Sequence, residues 1–171
     1  MKIIILLVLT VFILIGCKEV VNKVIIDNKT GRSMLIDVID RRAFELPDFK
    51  EWYNDEYTAY EPDEFILEQI KEISDSVDIQ IFMGTWCSDS RREVPRFLKI
   101  LDLSEFEQSK LRIINVDRKK KSSTHEEKNK NIEFVPTFIL NREGIEIGRI
   151  TEFPTITLES DLLSILLEID P

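Results

Sequence analysis

Cysteine and histidine are nearly absent: 171 residues hold only Cys17, Cys87 and His125. That scarcity excludes a disulfide-stapled scaffold, a four-cysteine zinc site and any multi-histidine metal centre, so neither a metal nor a cofactor is expected. Positive charge is also in deficit, with 23 Lys and Arg against 32 Asp and Glu and a net charge of −9. An acidic chain repels phosphate backbones, which argues against nucleic acid as a partner. No repeat and no low-complexity linker occurs. What the chain does have is 43% hydrophobic and 32% charged residues, enough to pack one domain, or one domain with an extension.

The first residues read as an address. Met1-Lys2 is a minimal positive start, Ile3 to Ile15 is apolar except for Thr10, and Gly16-Cys17 follows. Thirteen helical residues rise only about 20 Å, too little for a hydrocarbon core of about 30 Å, so the segment is expected to be a cleavable export signal over residues 1–16. Leu14-Ile15-Gly16-Cys17 resembles the cleavage box of bacterial lipoproteins, although Ile15 replaces the small residue usual there. The resemblance implies that Cys17 is acylated and anchors the chain to a bacterial membrane outside the cytoplasm. The alternative is an ordinary secretory signal with an incidental cysteine. If Cys17 carries lipid, its sulfur is a thioether, and Cys87 is left without an intramolecular partner.

Along the rest of the chain, Val20–Ile26 and Met34–Ile39 are β-rich around the turn cluster 27–31, which predicts a hairpin. Phe44, Phe49, Trp52, Tyr53, Tyr57 and Tyr60 follow, four of them at helical spacing, as core or as a lid beside the site. A helix is expected from Pro62, burying Phe65, Ile66, Ile70 and Ile73. Ile79–Met83 reads as a buried strand, and a second helix is expected over 89–101, with Val94, Phe97, Leu98 and Leu101 on one face. Leu111–Val116 is a strand. Thr124 and Glu127 could cap a short helix within the polar stretch 117–131, whose basic run Arg118-Lys119-Lys120-Lys121 reads as a solvated loop or a contact for acidic lipid or a partner. Phe138–Leu140, the turn 141–144 and Ile145–Ile150 make a second hairpin. A C-terminal helix opened by Thr157 or Glu159 would carry Leu162, Leu163, Leu166 and Leu167. The candidate boundary near residue 61 divides an N-terminal extension, 17–60, from a domain over 61–171.

Chemistry points to Gly84-Thr85-Trp86-Cys87, between a strand and a helix. A thiol at a helix start faces unpaired N–H groups and the positive end of the dipole, and both favour the thiolate. Arg91 and Arg92 would help it and Asp89 would oppose. His125 lies in a Lys-, Ser- and Glu-rich loop and reads as a solvated histidine, not as the base of a Cys/His hydrolase.

The run Gly84 to Pro95, then Phe134-Val135-Pro136-Thr137, then Asn141-Arg142-Glu143-Gly144, resembles the thioredoxin superfamily, especially its membrane-tethered extracytoplasmic members. The resemblance covers residues 62–169. It implies an α/β fold with a central mixed sheet flanked by helices, beyond the N-terminal β-hairpin and aromatic extension. It implies that Pro136 is cis and faces Cys87, that Val135 offers backbone hydrogen bonds to an extended substrate, and that Trp86 lines the approach. Two departures stand out. Ser90 occupies the resolving position of Cys-x-x-Cys, and Ile81 stands where the family often buries an acid. Both changes remove the second half of a two-thiol cycle.

One thiol can still attack a disulfide and stop at the mixed species until an external thiol releases it, with Ser90 as a hydrogen-bond partner of the sulfur. The expected activity is monothiol thiol–disulfide exchange through Cys87 with extracytoplasmic proteins or small thiols and disulfides. A peroxidase-like use is weakly suggested by Arg91 and Arg92. The remaining alternative is a non-catalytic binding or assembly module at the membrane surface.

Overall fold

The computed structural model describes residues 22–168; the expected signal segment 1–16 and the expected lipidation site Cys17 lie outside the described residues. The chain runs β1 (Lys23–Ile26), β2 (Ser33–Ile39), a 3-10 turn (Arg41–Glu45), α1 (Pro47–Ala59), α2 (Glu64–Ile73) and β3 (Val77–Met83). It continues through α3 (Ser88–Leu103), β4 (Leu111–Asn115), β5 (Thr137–Arg142), β6 (Ile145–Thr151) and α4 (Leu158–Leu167). Six strands form one mixed sheet in the order β1-β2-β4-β3-β5-β6, in which only β3 and β4 are parallel. The fold is α/β, a central mixed sheet flanked by helices, as the resemblance implies.

Side chains alternate across the sheet, and the two faces are covered differently. Val77, Ile79, Ile81 and Met83 of β3 join a core built with residues of all four helices, including Phe49, Ile70, Phe97 and Leu162. Phe82 faces the other way, into a smaller cluster with Ile114, Val116, Val135 and Ile139. Ile81, at the position of the family's buried acid, is fully enclosed in the larger core.

Local chemistry sets the helix starts. Asp63 caps α2 by accepting from the N–H groups of Phe65 (2.8 Å) and Ile66 (3.3 Å), Pro47 opens α1, and Thr157 accepts from the N–H of Ser160 at 3.2 Å to start α4. This register corrects one expectation. Phe65 is 75% exposed, because starting the helix at Glu64 turns Leu67 inward instead, while Ile70 is buried as expected. Leu167 is likewise exposed, while Leu162 and Leu166 are buried.

A second correction concerns 117–131. No helix forms there: Lys120, His125, Asn129 and Asn131 all take positive φ values, which breaks any helical run. Thr124 caps nothing, and Glu127 turns back to accept from the N–H (3.1 Å) and hydroxyl (2.8 Å) of Ser122. Burial pushes the Glu127 carboxyl up, but the bonds from Ser122 outweigh it and hold the group down at about 2.

Residues 22–60 share the main core. β2 pairs with β4 inside the sheet, and the rings of Phe44 and Tyr53 stack at 4.6 Å beneath α1. Arg41 reaches α3 with two bonds to Asp102, at 2.5 and 2.6 Å, and Tyr57 donates to the same carboxylate at 2.6 Å. Arg96 of α3 answers with a bond to Glu56 of α1 at 2.6 Å. Burial and the Asp102 charge push the Tyr57 hydroxyl up to about 12. Because Phe44 is fully buried, Phe44→Ala should lower the unfolding free energy by about 3–5 kcal/mol in urea titrations, with a single transition for the whole chain. A loss near zero, or a separate transition for the N-terminal part, would contradict this packing.

Candidate functional site

The site forms where the two parallel strands end. β3 stops at Met83, whose carbonyl accepts from the N–H of Val116 just past β4 at 2.8 Å. The chain then turns, and the Cys87 N–H closes the turn on the Gly84 carbonyl at 2.8 Å. Thr85 is fully buried, and its Oγ1 accepts from the Leu35 N–H of β2 at 3.0 Å. Trp86 donates its Nε1–H to the Val116 carbonyl at 2.8 Å and lays its ring over Gly84. A Cβ on Gly84 would sit 2.5 Å from the indole, so only glycine permits this approach. Cys87 follows in extended conformation as the N-cap of α3, half-buried.

Opposite the sulfur stands the loop before β5. The Val135–Pro136 peptide is cis, and Cys87 Sγ lies 3.2 Å from the Val135 carbonyl oxygen. The loop is held on both sides: Thr137 Oγ1 donates to the Phe134 carbonyl at 2.8 Å, and the Glu152 N–H donates to the Pro136 carbonyl at 2.7 Å. The structure thus brings Cys87, Trp86, Val135 and Pro136 together. Ser90 is fully buried one turn into α3, and its Oγ accepts from the Gly84 N–H at 3.2 Å. It makes no hydrogen bond to Cys87 among the described residues; its hydroxyl supports the turn.

The charges near the sulfur differ from those expected. Arg91 lies at the site and donates Nε–H to the Thr85 carbonyl at 2.5 Å. Arg92 turns away to Glu93 (2.5 Å) and Asp89 (3.0 Å), which neutralises the acid expected to oppose the thiolate. The second nearby cation is Arg118, from the run read as a solvated loop. Its guanidinium lies 5.1 Å over the Trp86 ring and bonds Asp27 of the first hairpin turn at 2.7 Å. The hydrogen bonds from Arg118 and Thr30 hold the Asp27 carboxyl well below the usual carboxylate range. Arg118, Asp27 and Thr85 were missed in the sequence. A signal for Arg118 existed: it follows β4 closely, at the carboxyl ends of parallel strands where sites collect. His125 is exposed, 3.9 Å from Glu127, in a loop as expected.

Beside the thiol, Trp52, Glu56, Trp86, Ser88 and Arg91 line a cleft of about 380 Å³. Arg91 packs 5.9 Å over the Trp52 ring, so one member of the aromatic segment both fills the core edge and walls the site. Among the described residues no cluster of His, Cys, Asp and Glu suits a metal ion, and no helix is long and apolar enough to cross a membrane.

A family model described as thioredoxin matches residues 47–161. No curated protein matches the chain. Among solved structures, the chain is similar to a protein of unknown function from Pseudomonas aeruginosa, at 14% identity and a TM-score of 0.49, over 68% of this chain and 80% of that one. It is also similar to thioredoxin O2 from Arabidopsis thaliana (16%, 0.39, 61% and 84%) and to mitochondrial thioredoxin 3 from Saccharomyces cerevisiae (22%, 0.34, 58% and 91%).

Two outcomes follow from the geometry. Gly84→Ala should displace the Trp86 ring, seen as a shift in tryptophan fluorescence together with a slower reaction of Cys87 with alkylating reagents; an unchanged spectrum and rate would contradict the packing. Asp27 is depressed in the folded state, so its contribution to stability is complete above about pH 4 and is lost as pH falls through the lowered value. Asp27→Asn should therefore be less stable than the native chain at neutral pH, with the gap closing in acid. A gap that does not depend on pH would remove the ion pair as its cause.

Proposed function

The chain belongs to the thioredoxin family, and from that premise we propose that it is a monothiol thiol–disulfide exchange protein acting through Cys87 outside the cytoplasm. Family membership points to thiol–disulfide redox chemistry in general. The observation that carries the finer reading is the half-buried Cys87 sulfur, 3.2 Å from the Val135 carbonyl beside a cis Pro136, with serine at the resolving position.

The chemistry needs one protein sulfur. The Cys87 thiolate attacks one sulfur of a partner disulfide, the S–S bond breaks, and the departing sulfur leaves with its electron pair and takes a proton from water. Cys87 is then held in a mixed disulfide. Ser90 cannot close on it, because a hydroxyl forms no S–S bond, so an external thiol must attack Cys87 Sγ to complete the turnover. Arg91, bound to the Thr85 carbonyl, and Arg118, over the Trp86 ring, border the approach to the sulfur. Trp86 walls the approach, and the Val135–Pro136 loop offers backbone hydrogen-bonding groups to an extended partner segment. Export through residues 1–16 and acylation of Cys17 would hold this chemistry at a membrane surface.

In a reducing assay with a disulfide-bonded protein substrate, the full chain should give turnover only when a small thiol is supplied, and Cys87→Ser should abolish it. Ser90→Ala should retain exchange. Activity that persists in Cys87→Ser, or no mixed disulfide on Cys87 after exposure to disulfides, would overturn the catalytic reading in favour of a binding module. Separately, Cys17→Ala should release the chain from membrane fractions, and a variant still sedimenting with membranes would refute lipid anchoring.

A further inference from the structure

Three arginines line one pocket with Trp86 on a chain whose net charge is −9. A small pocket of about 100 Å³ is lined by Asp27, Ser33, Trp86 and the three arginines Arg32, Arg91 and Arg118. It adjoins a second of about 390 Å³, walled by Gly31, Arg32, Ser33 and Arg91, with Asp48 as its acid. Arg118 is neutralised by Asp27. The other two are not: among the described residues Arg32 has no side-chain partner, and Arg91 is engaged only through its Nε–H and its packing on Trp52.

Two unneutralised like charges lining the same pockets repel each other, and burial adds to the cost at Arg91. Burial first, then the charge of Arg32, lowers the Arg91 guanidinium from its usual value. An anion between them would relieve that repulsion and meet two planar donor forks, which suit the flat, two-oxygen geometry of a carboxylate. The pockets fit a small group; the smaller shares Trp86 and Arg91, and the larger Arg91, with the walls of the cleft beside the thiol.

We propose that the Arg32–Arg91 pocket binds a carboxylate of the molecule whose sulfur reacts at Cys87, making a carboxylate-bearing low-molecular-weight disulfide the preferred substrate. This rests on the exchange reading of Cys87. The carboxylate anchors one end while the thiolate attacks the near sulfur. The S–S bond breaks, the far half leaves as a thiolate that takes a proton from water, and a second small thiol later frees Cys87.

The test uses the full chain with three probes: dithiodipropionate (anionic), hydroxyethyl disulfide (neutral) and cystamine (cationic). The rate of mixed-disulfide formation on Cys87 is followed by mass spectrometry. Dithiodipropionate should react about tenfold faster than the neutral probe, and cystamine slower than both. The advantage should shrink near roughly 1 M salt, where screening reaches about 3 Å. Arg32 is exposed, so Arg32→Gln should fold normally, remove most of the anionic preference and leave the neutral rate unchanged. Suberate, which carries the same two carboxylates without the disulfide, should bind the native chain and not Arg32→Gln by calorimetry. Equal rates for the three probes, or suberate binding unaffected by Arg32→Gln, would overturn the proposal. Failure of all three disulfides to react while suberate still binds would instead overturn the exchange reading and leave the anion pocket standing.

Discussion

The indole of Trp86 lies where a side chain on Gly84 would be, and its N–H is fixed to the Val116 carbonyl at 2.8 Å. That contact ties the turn after β3 to the segment after β4 and defines the wall against which everything else at the site is set. Arg118 stacks on the outer face of the same ring and carries Asp27 with it, which ties the first hairpin to the site. Removing the glycine's open space would move the ring, and with it the approach to Cys87 and the seat of Arg118.

Positive charge is scarce in this chain, and much of it is already committed. Arg41 serves Asp102, Arg96 serves Glu56, Arg149 serves Glu146, and Arg92 serves Glu93 and Asp89. Most of these pairs are partly exposed, so each contributes little on its own, although the Arg41 clamp gains from its two-pronged geometry and from Tyr57. The same distribution makes Arg32 and Arg91 stand apart, because Asp27 is taken by Arg118 and no ion pair to either is made among the described residues.

Much of the architecture was legible because it rests on local patterns. The Trp86-Cys87 junction, the Val135-Pro136-Thr137 loop and the turn at 141–144 are short motifs whose geometry is set within a few residues. The helical spacing of Phe49, Tyr53 and Tyr57 holds in α1, whereas Tyr60, at the same spacing, falls at its extended C-cap. What was not legible depends on distance along the chain. Arg118 meets Asp27 across 91 residues, and Thr85 meets Leu35 across 50; no spacing rule reports such pairs. Phe65 was misjudged because burial follows the phase of the whole helix, which Asp63 fixes, and not the hydrophobicity of one residue. The segment 117–131 misled for a related reason: a capping pattern was present, but the backbone reverses at Lys120, His125, Asn129 and Asn131.

Ser90 is more than the mark left by a missing sulfur. Its hydroxyl is the acceptor for the buried Gly84 N–H, at the glycine that the Trp86 ring covers. A cysteine at this position would answer that N–H with a weaker acceptor, and an amide poorly satisfied in the interior costs about 1–3 kcal/mol. The substitution that would supply a resolving sulfur would therefore also loosen the turn that presents the first one.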